Sequence, residues 1–213
     1  SLSHTRRVVT PIDKASKKVI GPHMLHGSHW GYLCLSETPD GPEIGINKNL
    51  AYTATITNHV NPIMVLNTLY SLEITPIEDF NVFTDLNNTT KVFVNGDWIG
   101  IHHDPKLIYD TLIKYRRNGI LHIHTGIVWN HDFNEIWVYT DSGRLTRPLY
   151  IVENNKLRIT SDICKRVKAG ELKWQDLFGI RTKVDLEKED VNLDDLKDTA
   201  VIEYVDVNEM ENV

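Results

Sequence analysis

The sequence predicts a mixed α+β protein in which an irregular N-terminal segment is followed by two small α/β units. Three observations predict it. Between Leu25 and Leu50, Gly27, Gly31, Gly41 and Gly45 together with Pro39 and Pro42 interrupt every helical or strand period. Around Asn95-Gly96, two short apolar runs meet at the dipeptide favoured by type I′ hairpins, and a well-capped helical pattern follows. Beyond Gly119 the chain reads as strands to about residue 155, and then becomes more helical and more charged.

With 213 residues, 41% of them hydrophobic, the chain can bury a core. It has no apolar run of the ~18 residues needed to span a bilayer, so no membrane partner is expected. Cys34 and Cys164 lie far apart and make no disulfide framework, which points to a reducing, intracellular setting. The start at Ser1, without targeting or capping signals, reads as a piece of a longer chain. The net charge of −6 conceals an asymmetry. Arg6, Arg7, Lys14, Lys17 and Lys18 make the first 29 residues basic, whereas residues 187–213 are strongly acidic. A basic arm gains from counterion release on phosphate, and an acidic tail is repelled by it.

In chain order, SHTRRVV reads as a short strand, and Pro11 opens a polar, lysine-bearing loop. AYTATIT continues as a strand after Leu50. Pro62 starts a helix with Ile63, Leu66, Leu69 and Tyr70 on its apolar face. KVFVNGDWIGI is the hairpin. Asp104 caps the next helix, with Pro105 in its first turn, apolar residues at 108, 112 and 115, and Gly119 just past its end. ILHIHTGIVWN and NEIWVYTDSGRLTRPLYIVE read as strands, the second broken at Asp141–Gly143. Arg144 and Arg147 either form a small basic patch or pair with carboxylates within the fold, and pairing is the commoner fate. A helix is expected over 161–169 with Ser161 as cap, then an amphipathic turn at ELKWQDLFG and an exposed acidic run, Asp185–Asp198.

The chemistry-bearing residues crowd into Leu25–Leu50. His23, His26 and His29 recur every three residues and Cys34 follows, but the glycines argue against a shared helical face and no second Cys/His pair completes a zinc set. No metal is assigned. Glu37, before a Pro-Gly turn, reads as an acceptor of backbone N–H bonds rather than a general acid.

The run LHGSHWGYLCLSETPDGPEIGINKNL, with SHTRR before it and YTDSGRLTRPLYIVE far behind it, resembles the second-largest subunit of multi-subunit DNA-directed RNA polymerases. That resemblance implies a nucleotidyltransferase whose Mg2+ ions are held by the largest subunit, so this piece binds no cofactor, carries no catalytic residue and is inert alone. It implies that 1–61 is the fork region, and that 62–155 and 156–213 are two external domains. By resemblance Arg6, Arg7, Lys14, Lys17, Lys18 and His23 lie near the nucleic acid, and His26, His29, Glu37, Lys48 and Asn49 form the active-centre scaffold. His23 stands where relatives carry arginine. The implied partners are the largest and other subunits, template DNA, the RNA–DNA hybrid and transcription factors. The implied location is the nucleus, or the cytoplasm or virion for a viral enzyme, and the HWG and KNL spellings fit a large DNA virus or a divergent eukaryote. The alternative is a free-standing, protein-binding adaptor derived from this region.

Overall fold

The computed structural model of the chain describes residues 2–10, 20–80, 88–179 and 200–212. Lys14, Lys17, Lys18 and the acidic run Asp185–Asp198 lie outside the described residues.

A helical turn α1 (Leu2–Thr5) precedes strand β1 (Arg7–Val9), so the strand expected over SHTRRVV holds only for its last three residues. β1 pairs antiparallel with β2 (Asn47–Asn49), placing Arg7 opposite Asn49. Residues 20–46 are turns and short 3-10 segments, as their glycines and prolines dictate. The strand expected over 51–57 contracts to β3 (Thr55–Ile56), because the chain first turns at Tyr52–Thr53.

Helix α2 (Ile63–Ser71) follows Pro62, but its buried residues are Val65, Thr68 and Leu69, while Ile63 and Tyr70 are each 54% exposed. The inward face is therefore rotated from the expected one. The Thr68 hydroxyl donates to the Met64 carbonyl at 2.9 Å, and this internal bond lets a threonine occupy an apolar face.

Strands β4 (Thr75–Pro76), β5 (Thr90–Val94) and β6 (Asp97–His102) are followed by helix α3 (Pro105–Arg117), then β7 (Gly126–Asn130) and β8 (Glu135–Tyr139). They build a five-stranded sheet of order β4-β6-β5-β8-β7, antiparallel except for β5 beside β8. The hairpin turns as expected, with φ of 51° at Asn95 and 95° at Gly96. The Asp104 carboxylate accepts from the Leu107 amide at 3.1 Å, and Gly119 closes α3 at φ 71°. Strand alternation sends Val92, Val94, Ile136 and Val138 to the face where α2 and α3 bury Leu69, Ile108 and Leu112. Each such fully buried side chain stabilises by about 1.5–3 kcal/mol relative to exposure. Phe93 and Trp137 alternate to the other face and stack at 4.2 Å. Residues 120–125 turn rather than extend, the Thr125 amide donating to His122 O at 2.9 Å.

The remaining elements are β9 (Leu145–Tyr150), the small hairpin β10 (Val152–Glu153) and β11 (Lys156–Leu157), α4 (Ser161–Lys168), and β12 (Ile202–Asp206). Thr160, not Ser161, caps α4, accepting from the Ile163 amide at 3.4 Å. The amphipathic stretch after it is a 3-10 turn, Trp174–Phe178, that buries Leu177 and Phe178. A sheet of order β12-β9-β3 then joins one strand from each of the three stretches 1–61, 62–155 and 156–213.

An ion cluster fastens α3 to the end of the chain. Arg116, 2% exposed, donates to both Glu209 carboxylate oxygens at 2.6 and 2.8 Å, to Glu203 at 3.0 Å and to the Thr125 carbonyl at 2.8 Å. Arg117 adds two bonds to Glu203. Burial works against the Arg116 charge, but the two carboxylates outweigh it and hold the guanidinium above its ordinary pKa. Removing one partner strands the other: Glu209→Ala is expected to cost about 3–5 kcal/mol. Thermal unfolding of the chain should show a Tm lower by roughly 6–20 °C. Arg116→Met paired with Glu209→Leu should recover most of that loss, and a double variant as damaged as the single one would contradict the account.

Candidate nucleic-acid interface

The stretch 20–50 is held by side chains that bond to its own backbone. Thr38 Oγ1 accepts from the Gly45 amide at 2.9 Å and donates to Asn47 O at 3.1 Å, closing the turn between them. Lys48 Nζ donates to Pro22 O at 3.1 Å and to Gly45 O, so this cation fastens the 20–24 arm to that turn. Asn49 Nδ2 donates to Glu37 O at 3.1 Å, and its Oδ1 is buried without a partner. The Glu37 carboxylate accepts from Ser3 at 3.1 Å, tying α1 to the same loop.

The three histidines part company. His23 Nδ1 donates to Ile44 O at 2.6 Å, and Gly45 is required beneath it, since a Cβ there would lie 2.7 Å from the His23 backbone. His26 Nδ1 accepts from the Ser28 amide at 3.2 Å, capping the turn Gly27–His29. His29 is held below its ordinary pKa by partial burial and then by the neighbouring charge of Lys48. Among the described residues, no group of three or more His, Cys, Asp or Glu is placed to hold a metal ion. His23, His29, Glu37 and Lys48 line one small cleft of about 100 Å³ together with Cys34. The Cys34 thiol is shifted down by hydrogen bonds from the backbone at Ser36 and Glu37.

The two adjacent arginines differ. Arg6 Nη2 is occupied by the carbonyls of Ala51 at 2.6 Å and Ala54 at 3.1 Å, whereas Arg7 is exposed on β1. Arg144 and Arg147 do not form a basic patch. Arg144 pairs with Asp206 at 2.7 Å and with Asp141 at 2.8 Å. Arg147 lies under the 20–50 stretch, donating to Trp30 O at 2.8 Å and to Met210 Sδ at 3.3 Å, with its Cζ 5.1 Å from the Tyr32 ring centre. Gly31, at φ 77°, leaves room for it, since a Cβ would meet Arg147 Nη1 at 2.5 Å. The Tyr32 hydroxyl reaches the Val205 and Asp206 carbonyls at 3.1 and 2.9 Å, and burial pushes its pKa up to about 12.

Tyr32, Arg116 and the docking of Arg147 are absent from the sequence reading. One of them was visible: Arg116 continues the four-residue spacing of Ile108 and Leu112 along the buried side of α3.

Two family models match the chain: RNA polymerase Rpb2, domain 3, over residues 1–56, and RNA polymerase Rpb2, domain 4, over residues 92–153. Among curated relatives, the DNA-directed RNA polymerase II subunit RPB2 of Encephalitozoon cuniculi is 37% identical over 91% of the chain. The DNA-directed RNA polymerase subunit 2 of Acanthamoeba polyphaga mimivirus is 33% identical over 100% of it, and subunit Rpo2 of Saccharolobus solfataricus 31% identical over 99%. The chain belongs to the family of second-largest subunits of DNA-directed RNA polymerases. It spans between 16% and 18% of the length of these relatives.

Near the β12-β9 junction lie two depressed histidines. His124 is lowered to about 4 by burial first, then by His122 and Arg144, and its Nδ1 is buried without a partner against the Tyr204 ring. His122 is lowered for the same first reason. An unfolded histidine titrates near 6.5, so between that pH and about 4 the unfolded chain binds the extra proton at His124. Stability is therefore expected to fall as pH drops through this window, and to show no His124 contribution above it. His124→Phe, which keeps the ring and removes the titration, should flatten the Tm-against-pH curve there; an unchanged slope would rule the histidine out.

Proposed function

We propose that the chain forms part of the active-centre cleft of a DNA-directed RNA polymerase, with its N-terminal unit beside the RNA–DNA hybrid and downstream DNA and its other units facing further subunits. The observation that carries this reading is the run of exposed apolar residues on the N-terminal unit: Met24, Leu25 and Trp30 are 62%, 65% and 68% exposed. A surface of that kind suits cover by other protein, the largest subunit first among the candidates. Arg7 presents a cation on the same unit, and a phosphate contact there would hold nucleic acid without reading its sequence. Arg6, Lys14, Lys17, Lys18 and His23 extend the same proposal, Arg6 with its Nη2 already on backbone carbonyls, while Lys48, Asn49, Glu37, His26 and His29 serve as scaffold. The Mg2+ ions of nucleotidyl transfer belong to the largest subunit in this reading, and transcription factors would meet the outer units. The location follows the enzyme: the nucleus, or the cytoplasm or virion in a viral setting.

The isolated chain is expected to extend no RNA primer, and templated synthesis by it alone would refute the division of labour. In the assembled polymerase, Arg7→Ala should lower the magnitude of the salt slope of nucleic-acid retention by about 0.9, the value for one phosphate. Its deficit should be largest at low salt. A slope identical to that of the unaltered enzyme would remove Arg7 from the interface.

A further inference from the structure

Resting on that reading of the N-terminal unit, we infer that Arg147 is a positioning residue that sets where Arg7 meets the nucleic acid. The route from Arg147 to Arg7 runs through backbone. β1 is held to the body by its pairing with β2, with Arg7 opposite Asn49, and by Arg6 on the carbonyls of 51 and 54. β2 in turn closes the 20–50 stretch: the Cys34 amide donates to Asn49 O at 2.7 Å, Leu33 bridges Leu50, and the Ala51 amide donates to Tyr32 O at 3.0 Å. That stretch then meets the β9–β12 sheet at Trp30–Tyr32.

Arg147 is the side chain that fixes this meeting. Its guanidinium spans three elements at once: the Trp30 carbonyl, the Tyr32 ring and Met210 in the turn Glu209–Asn212. The planar fork is needed, because its two terminal nitrogens serve Trp30 O and Met210 Sδ separately while its carbon lies over the Tyr32 ring, which a single ammonium cannot reproduce. The buried Nε has no partner, so nothing but this geometry justifies its burial. Gly31 is the matching constraint. Any side chain there would displace the guanidinium and also sit at an unfavourable φ of 77°. Tyr32, bonded to the Val205 and Asp206 carbonyls, ties the stretch to β12 at one point. Arg147 adds a second point beside it, at the Trp30 carbonyl.

The test is a double-substitution cycle in the assembled polymerase, read as the salt slope of nucleic-acid retention on a preformed elongation complex. Arg147→Ala should lower the slope magnitude by about 0.9, the same amount as Arg7→Ala, although Arg147 itself touches no phosphate in this arrangement. Combining the two should leave the loss near 0.9 rather than doubling it, because Arg7 can be misplaced only once. Gly31→Ala should reproduce the Arg147→Ala slope with the arginine still present. Arg147→Lys, which keeps the charge without the fork, should fail to restore the slope in full. Additive losses in the double variant, or full rescue by lysine, would overturn the positioning inference while leaving the interface reading intact. An Arg7→Ala slope equal to that of the unaltered enzyme would instead overturn the interface reading, and the inference with it. Should Arg147→Ala fail to assemble, the Gly31→Ala and Arg147→Lys arms decide the question alone.

Discussion

The arrangement depends on one buried cation. Arg116 sits at the end of α3 where a helix would normally turn its basic residues to solvent, yet it is enclosed by Glu209, Glu203 and the Thr125 carbonyl. A charge in that position is tolerable only with near-complete satisfaction of its donors, which forces the last strand and the turn after it to lie against α3. With β12 fixed there, β9 acquires a partner on one edge and β3 on the other. The N-terminal unit and the five-stranded sheet are thereby parts of one construction, and the Arg144–Asp206 pair repeats the device on the other side of the junction.

Elements defined by local chemistry were legible in the sequence. Asn95-Gly96 requires positive φ at both positions, and Asp104, Pro105 and Gly119 mark the two ends of α3 by capping alone. What escaped was set by distant contacts. The inward face of α2 turns on whether Thr68 can bury its hydroxyl, and that is decided by a bond within the helix rather than by apolar spacing. The strand expected after Leu50 is short because only Thr55 and Ile56 find β9 as a partner. Arg147 read as half of a basic patch or as the partner of a carboxylate within the fold, and nothing local announces that Trp30, more than a hundred residues earlier, will sit on it.

The 20–50 stretch was legible in a different way. Its composition excluded helix and strand, and its residues were read as shape-holding rather than reactive. In the structure Thr38 and Lys48 spend their polar groups on backbone carbonyls or amides, and the amide nitrogen of Asn49 does the same. A lysine used in this way is a strut. Burial first, and then the neighbouring Lys48, lower the proton affinity of His29, so the scaffold also tunes the electrostatics of the cleft it encloses.

The bond from Tyr32 to β12 joins residues separated by 173 and 174 positions. During synthesis the N-terminal unit leaves the ribosome long before its docking strand exists, and at about 5–20 residues per second the wait lasts roughly 9–35 s. Met24, Leu25 and Trp30 face solvent even in the finished structure, and Tyr32, only 3% exposed there, joins them until β12 arrives. The order of the chain thus leaves the 20–50 stretch without its Tyr32 tie until β12 is made, so an early-made segment waits on a late-made strand.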